Sequence, residues 1–311
     1  MIKALRFSGV LTCSLVASLL TFAPAASAQQ SFKTADAAVD ALVGAARSNN
    51  TKGLIEILGK GSSDIVASGD SVADAASYQR FVSAYDAKHR LSMEGDNKAI
   101  MVIGNEDFPF PIPVVQEHGS WHFDTDAGRD EIVFRRIGRN ELDTIQTCLA
   151  YVDAQEEYAD KDRTGAGKGI YAQRVISSPG KKDGLYWPDV QGQEQSPLGE
   201  FVAEATKQGY RVGAGRTPYH GYYFKILTKQ GPAAPGGALD YVVNGKMIGG
   251  FALIAYPAQY RNSGVMTFIV NQTGQVYESD LGPHTATEAE KITSYNPDNT
   301  WKKVEATAAA Q

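Results

Sequence analysis

The chain has 311 residues, of which 43% are hydrophobic and 21% are charged, and its formal net charge at pH 7 is −5. This composition is typical of a folded, soluble protein, and the acidic balance argues against a nucleic-acid partner or an anionic membrane surface. A chain of this length predicts about two domains.

Residues 1–28 have the pattern of an export signal. Lys3 and Arg6 precede an apolar stretch over residues 10–22 that is short for a membrane span. The triplet Ala26, Ser27 and Ala28 is a small-residue cleavage pattern, so we expect a mature chain that starts at Gln29 and is periplasmic or secreted. The alternative is an uncleaved anchor. No later run predicts a transmembrane helix in the mature chain.

The N-terminal half predicts helices followed by strands. Thr34 caps a first helix whose apolar face carries Val39, Leu42, Val43 and Ala46, and further helices are expected over residues 52–58 and 77–88. Strands are predicted over residues 99–103, 110–117 and 121–124, and the prolines at positions 109, 111 and 113 favour an edge position for the second strand. This order, with the G-x-W-x-F-D hairpin at residues 119–124, resembles the NTF2-like fold over residues 32–135.

Four arginines lie in the segment 128–139, among Asp130 and Glu131; they are Arg129, Arg135, Arg136 and Arg139. One interpretation is a binding site for an anion. The other is a solvated connector whose charges pair with one another, since surface ion pairs are common and individually weak. We place a domain boundary here, between residues 138 and 139.

The C-terminal half predicts a long helix over residues 140–158, a loop-rich span over residues 160–197, a helix over residues 197–208 and a strand over residues 222–228. An antiparallel meander follows, with strands over residues 251–256, 265–270 and 275–280. The first of these is a continuous apolar run, which predicts burial on both faces. A long helix, an irregular loop and an antiparallel sheet resemble the globular part of type IV pilins and pseudopilins, although here the helix is internal and amphipathic.

Catalytic patterns in the sequence are incomplete. Ser71 in a Gly-Asp-Ser triplet is similar to the nucleophile block of GDSL esterases, and the one Asp-x-x-His spacing is Asp86 to His89. A calcium-like loop at Asp160 lacks the acidic residue at position twelve, because Tyr171 stands there. The five histidines show no ligand spacing, so no metal and no cofactor are predicted. Cys148 is expected to be a small buried side chain rather than a reactive thiol.

Aromatic residues crowd around turns of the C-terminal half. They form either a recognition surface for a protein or carbohydrate, or the cover and rim of the small sheet. As candidate binding residues we take Tyr171, Tyr186, Trp187, Tyr219, His220 and Tyr222.

Three segments, at residues 138–159, 169–188 and 249–282, together resemble the bacterial family Domain of Unknown Function 2950. The resemblance implies an exported bacterial protein and no particular activity, since no catalytic residues carry over from it.

The sequence therefore predicts an α+β protein with a signal peptide (1–28), an NTF2-like module (29–138), a pilin-like module (139–305) and a disordered tail (306–311). The favoured function is non-enzymatic binding or envelope assembly, with an envelope protein or a carbohydrate as partner. The alternatives are a periplasmic hydrolase that uses Ser71 and a small-ligand carrier that uses a pocket of the N-terminal half.

Overall fold

The computed structural model describes residues 29–211 and 217–305. The predicted signal peptide and the predicted tail lie outside these residues. The described chain combines helices with antiparallel sheets, so the predicted α+β class is confirmed.

The helices, in chain order, are α1 Ala35–Arg47, α2 Thr51–Leu58, α3 Ser63–Val66, α4 Ser71–Ala87, α5 Thr125–Ala159, α6 Gly199–Lys207 and α7 Thr285–Lys291. The strands are β1 His89–Met93, β2 Lys98–Ile103, β3 Phe108–Pro109, β4 Val114–Glu117, β5 Ser120–Phe123, β6 Tyr222–Leu227, β7 Lys229–Gln230, β8 Leu239–Asp240, β9 Val242–Val243, β10 Lys246–Met247, β11 Ala252–Pro257, β12 Thr267–Asn271, β13 Tyr277–Ser279 and β14 Lys302–Lys303.

The N-terminal half packs α1 to α4 beside a sheet of order β1-β2-β4-β5, with β3 on β2. The Thr34 hydroxyl accepts a hydrogen bond from the Ala37 amide and caps α1, whose predicted apolar face is buried. The predicted edge position of the strand at residues 110–117 is wrong, because β4 pairs with both β2 and β5. The ladder begins at Val114, after Pro113, so no proline has to donate to it.

Helix α5 is the largest departure from the sequence prediction. It has 35 residues and runs without a break through the segment predicted to be a connector, so the start predicted at Asn140 is wrong. Asp124 caps the helix by accepting from the Ala127 amide. Val133 and Ile137 are both buried and lie four residues apart, which is a helical spacing. The many charged residues around them made this spacing hard to detect in the sequence.

The C-terminal sheet has the order β14-β13-β12-β11-β6, and every neighbouring pair is antiparallel. The predicted meander is therefore confirmed as β11, β12 and β13. All six residues of β11 are buried, as its continuous apolar run predicts. After β12 the chain turns at Asn271, whose side chain accepts from the Thr273 amide, and Gly274 takes a φ of 72°.

Buried apolar side chains form two clusters, one in each half of the chain. Helix α5 belongs to both, because Val133 and Ile137 pack in the first cluster while Cys148 and Tyr151 pack in the second. Within the described part of the chain, no helix is long and apolar enough to cross a membrane.

Candidate functional site

A cavity of about 640 Å³ lies between α4 and α5. This volume is within the roughly 300–1,000 Å³ of ordinary small-molecule sites. Helices α1, α2 and α3, strand β2 and residues 108–112 contribute only apolar side chains to its wall. The polar lining comes from α4, from α5 and from Ser68, Gln208, Tyr210 and His220. Among the apolar lining residues are Leu42, Leu54, Leu58, Val66, Phe81, Ile103, Phe110, Ile112 and Ile132.

Helix α4 forms one wall of this cavity and contributes little to the buried core of the N-terminal half. Of its seventeen residues only Val82 is buried. The half-exposed Ala73, Ala76, Tyr78 and Phe81 face the cavity. Burial raises the pKa of Tyr78 to about 12, and its hydroxyl donates to the Val66 carbonyl oxygen.

Four arginines line the cavity: Arg80 on α4 and Arg135, Arg136 and Arg139 on α5. Arg136 is anchored, because its guanidinium donates to the carbonyl oxygens of Asp64 and Ile65 at 2.7 Å and to Asn262 Oδ1 at 2.6 Å. Burial lowers the pKa of Arg136 from its usual value, and the nearby Asp74 carboxylate partly offsets this effect.

The four arginines singled out in the sequence thus separate into two groups. Arg129 pairs with Asp64, and Arg135 pairs with Glu131 and lies over the Phe108 ring, which is the ion-pairing interpretation. Arg136 and Arg139 line the cavity without an ion pair to a described residue, and Arg135, although paired, lines it as well. Arg139 is exposed and makes no hydrogen bond or ion pair to any residue that the structure describes.

Two carboxylates also line the cavity. Both oxygens of Asp74 accept from the Ser68 amide, at 3.0 and 3.2 Å, and burial raises the pKa of this carboxyl group. Asp143 on α5 places Oδ2 at 2.5 Å from Nδ1 of His220, and His220 Nε2 lies 3.1 Å from Gln208 Oε1.

His220 is held in place by a tight turn. His220 and Gly221 have φ values of 47° and 76° and connect the bridged pair Tyr219 and Tyr222. Positive φ at both central residues is what a type I′ hairpin turn requires, and the Tyr-His-Gly-Tyr sequence forms such a turn. A Cβ on Gly221 would lie 2.6 Å from the Asn140 side chain, so this turn fits against α5 only with glycine.

Asp70 joins α4 to this turn. It is only 2% exposed, and its carboxylate accepts from the amides of Val72 and Ala73, from the Tyr210 hydroxyl at 2.8 Å and from the Gly221 amide at 3.0 Å. It is therefore both the N-cap of α4 and the contact of that helix with the C-terminal half.

Two of the predicted binding residues lie at the cavity. His220 lines it, and the Tyr219 ring packs against His220 and Tyr210, with ring centroids 4.3 and 4.8 Å away. Tyr219 and His220 also border a smaller cavity of about 320 Å³, together with Phe201 and Thr147.

The other four predicted binding residues lie apart from this site. Tyr222 is fully buried and donates to the Met266 carbonyl oxygen, and Trp187 is 6% exposed and donates to the Glu194 carbonyl oxygen. Tyr171 packs edge-on against Phe251, and Tyr186 is half-buried beside Ile176.

Ser71 is not part of a hydrolytic relay with Asp86 and His89. The segment before it forms the short helix α3, and Ser71 is the exposed first residue of α4. His89 follows the end of that helix, about 25 Å away at 1.5 Å per residue. Asp86 pairs with Arg47, and the His89 ring stacks on Tyr85.

The calcium-like loop is an ordinary turn, in which Asp162 Oδ1 accepts from the amides of Thr164, Gly165 and Ala166. In the described part of the chain, no three His, Cys, Asp or Glu side chains are grouped so that they could hold a metal ion.

Arg80, Asp143 and Asp70 were missed by the sequence prediction. The sequence does contain a signal for part of the site, which is the helical spacing of residues along α5. Three- or four-residue steps separate Ile132, Arg136, Arg139 and Asp143, so these residues lie on one face of the helix. No local signal pairs Asp70 with Tyr210, because these residues are 140 positions apart.

Fold and cavity define an α+β protein with an apolar chamber whose polar side is formed by the two helices α4 and α5. The chain belongs to the family described as Protein of unknown function (DUF2950), whose model matches residues 29–304. No curated protein and no solved structure matches the chain.

Proposed function

We propose that this protein is a binding protein that holds a small, largely apolar molecule in the cavity between α4 and α5. The observation that carries the proposal is the chamber itself, about 640 Å³ with walls of aliphatic and aromatic side chains. Burial of an apolar ligand in such a chamber is favourable at about 25 cal/mol per Å² of apolar surface removed from water.

The cavity is held open by hydrogen bonds at its ends. Asp70 fixes the start of α4 to Tyr210 and Gly221, and Arg136 fixes α3 to α5 through two carbonyl oxygens. These contacts restrain the helices from closing on one another. A chamber that exists before binding costs little conformational entropy when the ligand enters, which favours affinity.

Binding of Nile red, a neutral apolar dye, tests the proposal. We expect its fluorescence to rise with the wild-type protein and most of that rise to be lost in Ala76→Phe, whose added ring occupies the chamber. Ala87→Phe is the matched control, because Ala87 ends the same helix, is exposed and does not line the cavity. No rise in wild type, or an equal rise in both variants, would show that the chamber does not bind apolar molecules.

We propose that this binding takes place in the periplasm or the medium, because residues 1–28 have the charge pattern, apolar stretch and cleavage triplet of an export signal. Mass spectrometry of the exported protein tests the export: a chain that starts at Gln29 supports it, and retention of residue 1 contradicts it.

In this proposal the N-terminal half is an NTF2-like module that carries the ligand, and the C-terminal half is a pilin-like module that contacts an envelope protein or a carbohydrate.

A further inference from the structure

We infer that the ligand of this cavity carries an oxyanion head group, such as a carboxylate, which Arg80 and Arg139 bind while its apolar body occupies the chamber. The inference rests on the proposed binding function and names the chemical class of the ligand.

Charge in the cavity lining is unbalanced. Four arginines line the chamber, against the two carboxylates Asp74 and Asp143. The whole chain has a net charge of −5, so this excess of positive charge is local to the site. Positive charge with apolar walls on one side attracts an anion more strongly than the same charge in open solvent does.

Two of the arginines already have protein partners, since the charge of Arg135 is paired with the Glu131 carboxylate and Arg136 is anchored by several hydrogen bonds. Arg135 donates from Nε to Glu131 at 2.5 Å, and the guanidinium of Arg136 donates to three protein oxygens. Arg80 uses one donor, to Ser77 Oγ at 2.8 Å, and Arg139 uses none toward the described residues. Since a guanidinium has five N–H donors, Arg80 and Arg139 together keep most of theirs free for a ligand.

Arg80 and Arg139 line the same chamber, and their positive charges repel one another. Burial lowers the pKa of Arg80 from its usual value, and the charge of Arg139 lowers it further. Arg139 acts in the same direction on the pKa of Arg136. An anion placed between the two guanidinium groups relieves this repulsion and accepts the charge-assisted hydrogen bonds for which their planar forks are suited.

The two carboxylates do not neutralise this pair. Asp143 attracts Arg80, but its Oδ2 lies 2.5 Å from His220 Nδ1. Asp74 accepts from the Ser68 amide, and its raised pKa reflects burial without a direct ion pair. A cationic head group would therefore still meet more positive than negative charge in the lining, which selects against it.

Titration calorimetry with ligands of one chain length and different heads tests the inference. We expect decanoate to bind the wild-type protein roughly tenfold or more tighter than decanol, as one charge-assisted hydrogen bond provides. Decyl phosphate distinguishes a general oxyanion site from one that prefers carboxylate. Decyltrimethylammonium is expected to bind more weakly than decanol. High salt should weaken decanoate binding and leave decanol binding unchanged.

Variants locate the head group. Arg80→Gln and Arg139→Gln should each weaken decanoate several-fold and leave decanol unchanged, and Arg139→Lys should restore part of the loss. Arg90→Gln is the control, because Arg90 is exposed, approaches Asp107 and does not line the cavity. Equal affinity of decanoate and decanol in wild type overturns the inference and leaves the proposed binding function standing, whereas failure of both ligands and of Nile red overturns both.

Discussion

Cys148 lies near the middle of the C-terminal part of α5, with none of its surface exposed. Burial raises the pKa of its thiol to about 12, and the thiolate is the reactive form. In protein that starts at Gln29, where Cys148 is the single cysteine, we expect no alkylation by iodoacetamide at pH 8 and complete alkylation in guanidinium chloride. Mass spectrometry measures both, and rapid labelling of the native protein would contradict the packing of α5 on the sheet.

Glu194 pairs with three cationic side chains, and its contribution to the stability of the fold therefore depends on pH. Its carboxylate accepts from Lys161 at 2.9 Å, Arg163 at 2.9 Å and Lys182 at 3.3 Å, and the Lys161 bond is the main cause of its lowered pKa. A pKa lowered by folding adds stability above the unfolded value, about 4.3, and this stability is lost as the pH falls through the folded value.

Glu194→Gln is therefore expected to lower the free energy of unfolding by about 1–2 kcal/mol at pH 7, and by less at pH 3. Urea unfolding at both pH values measures the difference. Glu157→Gln is the control, because Glu157 is exposed and lies 3.8 Å from the same arginine. An equal loss at both pH values would show that Glu194 acts through packing rather than charge.

Helix α5 connects the two clusters of buried side chains. Substitutions at its two glycines test whether the helix is continuous and how closely it packs. A Cβ at Gly138 would meet nothing within 4 Å, so Gly138→Ala should raise the free energy of unfolding by about 0.5–1 kcal/mol. A Cβ at Gly128 would lie 2.4 Å from the Pro111 carbonyl oxygen, so Gly128→Ala should lower it by about 1–3 kcal/mol. Destabilisation by Gly138→Ala would mean that the helix is interrupted there.

Elements with a strong local pattern were predictable from the sequence. Strands β11 and β12 follow from apolar, β-branched runs, and α1 follows from its cap and apolar spacing. Residues 125–139 of the 35-residue helix α5 were not predicted to be helical, because their exposed charges are dense and their inner face carries Arg136 among the apolar residues. A face that lines a cavity rather than a core breaks the periodicity on which such predictions depend.

The residues of the candidate site likewise include some that the sequence predicted and some that it did not. Arg136, Arg139, Tyr219 and His220 stood out by residue type, whereas Arg80 and Asp70 did not. Their roles arise from long-range contacts that only the folded chain establishes.

At the scale of the whole molecule, Asp70 couples the two halves through Tyr210 and Gly221. Asp70→Ala removes an N-cap and leaves a buried hydroxyl and a buried amide without this acceptor, which should cost about 2–4 kcal/mol. We also expect the thermal transition in calorimetry to broaden or split. Asp124→Ala is the control, since Asp124 caps α5 through a single local bond and should cost about 1 kcal/mol without changing the width. An unchanged transition in Asp70→Ala would contradict the coupling.

The central claim is that the chamber between α4 and α5 holds an amphipathic anion. The most direct measurement is anomalous scattering from crystals of the wild-type protein soaked with decanoate that is brominated at its last carbon. The predicted result is one bromine peak inside the apolar chamber near Leu54 and Ile112, with the carboxylate at Arg139. A bromine peak elsewhere on the molecule, or a chamber that stays empty while decanoate binds in solution, would contradict the claim.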